Sequence, residues 1–339
     1  MNYRNLSLSA FLSLTSLFVF QSMTSCSAKA TRYETDNTEQ QSPRPKGRGG
    51  RVGGPQLGTP GGGPVIDKSG DAVLQSMIKA EVPEFKQLEY TDTETGKVLK
   101  YNLFSPKGIE NGKVYPLVLF MADASTPGTD ATRPLTQGYG ALVWATDEWQ
   151  AKHPCYVLVP QFSGVAVNDA YEHTDEVDMV ARLVQSVSAT SHVDINRLYT
   201  TGQSMGGMIS MYYNSAYPEL FAASIFVDCH WDSATFDELV KHRFAFITAG
   251  KAGTFGALEE AARKAGIKYE YAEWSAKLPQ SEQDSLASSL LANGAPINII
   301  NFESGTVLPD NGKGSEHMYS FDYAYRLTPV REWLFDQKK

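Results

Sequence analysis

Cysteine is scarce. The 339 residues hold three, so no disulfide framework carries the fold and at most one bridge is available. Cys155 enters one apolar run and Cys229 leaves another; as parallel strands these place the two thiols at opposite ends of a sheet, too far apart to join. Positive charge is not in excess either. Thirty Lys and Arg stand against 38 Asp and Glu, a net charge of −8, which argues against a nucleic-acid partner. No apolar run reaches the roughly 20 residues of a confident membrane span. Metal-ligand spacings, a phosphate loop and a dinucleotide fingerprint are all missing, so the sequence implies no cofactor. No internal repeat is evident.

What is present begins with an export signal. Arg4 precedes an apolar but serine-diluted run, Leu6 to Phe20, and Met23-Thr24-Ser25 leads into Cys26. Small residues before a cysteine resemble the lipobox of bacterial lipoproteins, with Met23 in place of the usual leucine. That resemblance implies residues 1–25 as a signal, lipidation of Cys26, and a cell-envelope location with the lipid as the membrane contact. Residues 26–80 read as a flexible tether. Their first half is polar, then Pro/Gly-rich with Arg44, Lys46, Arg48 and Arg51, and offers too few large apolar groups to offset its ordering entropy.

Residues 81–339 are the right size for one large α/β domain. Two alternating runs, Phe85–Tyr90 and Val98–Phe104, flank Asp92-Thr-Glu-Thr-Gly96, a hairpin signal. Continuous apolar runs follow at Pro116–Met121, Tyr156–Pro160, Leu198–Thr201, Ala222–Val227, Phe244–Ala249 and Ile297–Phe302, as expected of strands buried on both faces. Helical patterns separate them: Ala141–Lys152, Thr174–Ser188, Met205–Tyr217, Thr235–His242, Gly256–Ala265, Ser281–Ala292 and Phe321–Phe335. Alternation of this kind predicts a mostly parallel sheet covered on both faces, with chemistry at the strand C-termini.

One junction carries a chemical signature. Gly202-Gln203-Ser204-Met205-Gly206 reads G-x-S-x-G between the strand Leu198–Thr201 and a helix. Glycines permit the sharp strand-to-helix turn, which lifts the Ser204 hydroxyl above the sheet edge as a candidate nucleophile. The Met205 amide, unpaired at the helix start, points where an oxyanion would form.

This junction, together with Tyr101–Pro106, Lys113–Phe120, Gly128–Asp130, Asp194–Arg197 and Tyr217–Phe221, resembles the α/β-hydrolases. More narrowly, it is similar to secreted peptidases and esterases related to prolyl oligopeptidase and polyhydroxybutyrate depolymerase. The resemblance runs from about Glu84 to Phe335. It implies a base on the loop after the last strand, where His317 stands, with His230 the rival because it follows a strand end. The acid that the family places after the Phe244–Ala249 strand is replaced by Gly250-Lys251-Ala252-Gly253. Asp232 is then the first choice and Asp228 close behind, with Glu259 and Glu316 weaker. The family's His-Gly oxyanion loop is also altered, to Ala122-Asp123. A main-chain amide of either residue still serves, whereas loss of one donor costs about 10²–10³ in turnover. The Asp123 carboxylate is expected to bond to local backbone.

Trp144, Trp149, Tyr139 and Phe162 line either a pocket or the core, and Tyr269–Leu278 reads as a lid. The expectation is an exported serine hydrolase that cleaves an ester of a small molecule or acylated polysaccharide. The alternatives are a prolyl-oligopeptidase-like peptidase and a non-catalytic glycan or peptide binder on a degraded hydrolase scaffold.

Overall fold

Nine strands form one sheet: β1 Lys86–Thr91, β2 Val98–Phe104, β3 Tyr115–Met121, β4 Tyr156–Gln161, β5 Val193–Gln203, β6 Ala223–Val227, β7 Phe244–Ala249, β8 Tyr269–Trp274 and β9 Ile297–Phe302. The computed structural model describes residues 56–62, 65–250 and 254–339. The expected export signal, Cys26, the first part of the expected tether and Lys251 lie outside the described residues. Strand order is β1-β2-β4-β3-β5-β6-β7-β9-β8, and β2 alone runs against the others.

The helices are α1 Ala72–Glu81, α2 Arg133–Thr136, α3 Tyr139–Leu142, α4 Asp147–Lys152, α5 Asp175–Thr190, α6 Met205–Ala216, α7 Phe236–Leu239, α8 Thr254–Ala265, α9 Gln280–Leu291, α10 Glu316–Arg326 and α11 Thr328–Phe335. Side chains alternate across each strand, so two cores form. Leu117, Leu119, Phe226 and Phe246 face α5–α8, whereas Val118, Phe120, Ile225 and Ile247 face α1, α3, α4 and α9–α11.

Four expectations are corrected. Tyr269–Leu278 is no lid: its first six residues are β8, an edge strand parallel to β9, pinned by buried Trp274 edge-on to Phe302. The tether does not extend to residue 80. Asp71 caps α1 by accepting from the Leu74 amide and also accepts from the Tyr139 hydroxyl, and Leu74 is wholly buried. Met77 and Ile78, at helical spacing from Leu74, pack half-buried against the same core. The expected helix from Ala141 breaks into α3 and α4 because Thr146 caps the second, and the last helix breaks at Leu327, ahead of Pro329. The four aromatics pack in the core, with Trp144 stacked on Phe335 and edge-on to Trp149.

Cys155 just precedes β4 and Cys229 follows β6, at opposite sheet ends, and both are free and buried. Burial pushes the Cys155 thiol up to about 12, and likewise raises that of Cys229.

Candidate active site

Strand β5 lies between β3 and β6, and its last residue, Gln203, delivers Ser204 to the C-terminal edge of the sheet. Ser204 holds φ 50° and ψ −117°, a sparsely populated conformation costing about 1–3 kcal/mol. The glycines make it possible through close approach. A Cβ on Gly202 would lie 2.3 Å from the Gly206 carbonyl carbon, and one on Gly206 would lie 2.0 Å from the Met121 carbonyl oxygen. The start of α6 therefore sits directly against the end of β3.

His317 arrives from the other side of the cleft, in the first turn of α10 rather than on a free loop. Its Nε2 is 2.9 Å from Ser204 Oγ, and its Nδ1 is 3.3 Å from Asp228 Oδ1. Phe321, one turn on, meets the imidazole edge-on at 5.0 Å. With Nδ1–H facing a carboxylate, Nε2 is the nitrogen that accepts from the serine hydroxyl.

Asp228 follows β6 with φ 41°. Its Oδ2 accepts from Ser320 Oγ at 2.6 Å and its Oδ1 from Thr248 Oγ1 at 3.3 Å. Ser320 Oγ also lies 2.8 Å from the His317 carbonyl oxygen, tying the acid to the helix that carries the histidine. Neither Ser320 nor Thr248 was singled out from the sequence, where nothing distinguishes them from other small polar residues.

The preference for Asp232 is corrected: its carboxylate accepts from the Ala234 amide at 2.9 Å and caps a short 3₁₀ turn, Ser233–Thr235. Glu316 turns to Ser304 and the Gly305 amide, and Glu259 to the Tyr269 hydroxyl. His230 stands beside Asp169 at 3.5 Å, half exposed.

Two amides near the elbow are left without a backbone acceptor among the described residues. Met205 is the first residue of α6 and has no acceptor within the helix. The Ala122 amide, just past β3, finds no backbone acceptor among the described residues. Asp123 is different: its amide donates to Gln137 Oε1 at 3.4 Å, and its carboxylate accepts from the Ser125 amide at 2.7 Å. Of the pair expected at the oxyanion loop, Ala122 is the one left to donate.

Gln137, another residue missed from the sequence, clamps this region. Its Oε1 also accepts from Gln203 Nε2 at 2.9 Å, and its Nε2 donates to Ser125 Oγ at 2.9 Å. One side chain thus joins the residue before Ser204 to the loop after β3. No group of residues that could hold a metal ion occurs among the described residues.

No family model matches the sequence, and no curated protein does. Solved structures do match. A thermostable esterase is 25% identical with a TM-score of 0.59, over 76% of this chain and 64% of its own. A putative dipeptidyl aminopeptidase IV from Bacteroides ovatus is 11% identical with a TM-score of 0.50, over 75% of this chain and 36% of its own. This chain therefore spans less than two thirds of either neighbour. The sheet order, the elbow and these likenesses place the chain in the α/β-hydrolase superfamily. Within it, the neighbours are esterases and peptidases.

Proposed function

We propose that the chain is an exported serine hydrolase that cleaves an ester through an acyl-enzyme. One observation carries this reading: His317 Nε2 hydrogen-bonds Ser204 Oγ at 2.9 Å while its Nδ1 faces the Asp228 carboxylate at 3.3 Å. A serine hydroxyl is a weak nucleophile until a base takes its proton. His317 Nε2 accepts that proton as Ser204 attacks, Asp228 stabilises the imidazolium, and the amides of Met205 and Ala122 receive the oxyanion. The imidazolium then returns the proton to the leaving oxygen. Water, deprotonated by the same nitrogen, releases the acid.

The choice of ester over peptide draws support from the 25% identical thermostable esterase, since the peptidase neighbour bears on fold alone. Asp228 removes one ground for a non-catalytic binder, because the acid absent after β7 has a counterpart after β6. Export and a lipid on Cys26 rest on the N-terminal sequence, and mass spectrometry of the mature N-terminus tests them. The activity is tested by fluorophosphonate labelling of the wild type, Ser204→Ala and His317→Ala. Stoichiometric labelling lost in both variants is expected; folded wild type that stays unlabelled overturns the reading.

A further inference from the structure

Two hollows flank the candidate triad. One of about 490 Å³ lies on the Asp228 side, and one of about 240 Å³ lies beyond the oxyanion loop, bordered by Asp123, Gln137 and Met318. The smaller hollow is rich in neutral polar groups, among them Ser69, Gln75 and Thr136. The N-terminal segment supplies part of its wall. Residues 56–62 are bound to the body through Gly58 and Val165 at 2.9 Å, and through Gly62 and Ala124 at 3.1 Å, and Ile66 and Lys68 then border the hollow.

Two cations reach this space, and they differ. Lys68 Nζ lies 2.6 Å from Asp322 in a mostly buried pair, so its charge is matched. Arg133 has no carboxylate partner among the described residues; its guanidinium donates to the Ser125 carbonyl at 2.6 Å and keeps its remaining N–H groups. Of the nearby acids, Asp130 accepts from Thr132 and lies within the field of Arg133, while Asp123 accepts from the Ser125 amide with Oδ1 and leaves Oδ2 buried without a hydrogen-bond partner among the described residues; neither comes within ion-pair distance of the guanidinium. A planar fork of donors is complementary to a carboxylate. Neutral hydroxyl and amide groups around it suit a polyol.

We propose that this hollow is a subsite for a carboxylate-bearing, hydroxylated unit of the substrate, an acidic sugar next to the scissile ester, held by Arg133. The proposal rests on the hydrolase reading above. Its test compares kcat/KM for O-acetylated glucuronic acid with that for its methyl ester. The free acid is expected to be preferred by about 10–100-fold, the range for a hydrogen bond to a charged group. Arg133→Gln brings the ratio close to one, and Arg133→Lys, which keeps the charge and loses the fork, falls between. A ratio near one in the wild type, or a preference that survives in Arg133→Gln, overturns the proposal.

Fluorophosphonate labelling in parallel separates the two readings. Labelled protein with no acid preference overturns the subsite and leaves the hydrolase. Unlabelled, folded protein overturns the hydrolase, and the subsite is then read by titration with glucuronate and glucose. Glucuronate binding lost in Arg133→Gln supports it; equal or absent binding of the two sugars overturns it. Because Arg133 also holds the Ser125 carbonyl, Arg133→Lys provides the comparison if the glutamine variant does not fold.

Discussion

Replacing Asp228 by asparagine separates chemistry from folding at this site. Asparagine matches aspartate in shape and tolerates the positive φ of 41° at this position, so the variant is expected to fold. Ser320 Oγ, 2.6 Å from Oδ2, can still donate to the carboxamide oxygen. With that oxygen held, the amide NH₂ faces His317 Nδ1, which sits 3.3 Å from Oδ1 in the wild type. An NH₂ donor there requires an unprotonated Nδ1, which moves the ring proton to Nε2. That is the atom 2.9 Å from Ser204 Oγ, and once protonated it no longer accepts from the serine. The wrong tautomer, with loss of the anion that stabilises the imidazolium, costs on the order of 10⁴ in kcat, the magnitude known for such a change in a serine-protease triad. In barrier height this is about 5 kcal/mol.

The assay is hydrolysis of 4-nitrophenyl acetate together with the rate of fluorophosphonate labelling, with near-UV circular dichroism as the folding check. Asp232→Ala is the control. It removes one cap of a short turn, for about 0.5–2 kcal/mol of stability, and leaves kcat unchanged. Well-folded Asp228→Asn that keeps more than roughly a tenth of wild-type kcat, against the 10⁴ loss expected, would refute this account. So would a loss of that size in Asp232→Ala.

Other substitutions test the supporting structure. Gln137→Leu cuts the bonds from Gln203 and Asp123, and we expect kcat to fall by about 10–100-fold, part of the 10²–10³ that a lost oxyanion donor costs, with KM little changed; steady-state kinetics decide, and a rise in KM alone contradicts it. Gly206→Ala forces a Cβ against the Met121 carbonyl oxygen, 2.0 Å away, and should lower the melting temperature and abolish labelling together. Asp92 is buried in a two-point pair with Arg182, at 2.7 Å and 3.0 Å, whose guanidinium holds its carboxyl well below the usual carboxylate range. A carboxyl depressed in the folded state adds stability that is complete above its unfolded value near 4 and is lost as pH falls through the folded value. Asp92→Asn is therefore expected to lower stability at neutral pH and to flatten its decline below about pH 4, as read by thermal melts across pH.

The parts legible in sequence were those fixed by local chemistry. Six continuous apolar runs and two alternating ones gave eight of the nine strands, and the two glycines around Ser204 specified the elbow because only a residue without Cβ lets the start of α6 approach β3 so closely. His317 was singled out as the candidate base by its order in the chain, after the last strand. β8 escaped because only one of its six residues is buried: an edge strand need not be apolar, and Lys268 to Tyr271 alternate charged and aromatic groups. α1 was missed although Leu74, Met77 and Ile78 stand at helical spacing, because only Leu74 is fully buried and the segment was read with the polar tether before it.

Sequence order left two aspartates four residues apart and equally placed to orient His317. The choice between them depends on which way each backbone turns after β6. Asp228, at positive φ, aims its carboxylate back across the sheet edge toward Thr248 and Ser320, whereas Asp232 spends its own on the next turn. The Gln137 clamp is likewise invisible to local pattern, since it joins Ser125 and Gln203 from separate elements. Local periodicity and turn stereochemistry determined the sheet, the elbow and the candidate nucleophile. The candidate acid, the unpaired Ala122 amide and an Arg133 without a carboxylate at ion-pair distance among the described residues were decided by tertiary contact, because a hydrogen-bond partner is a property of the folded neighbourhood.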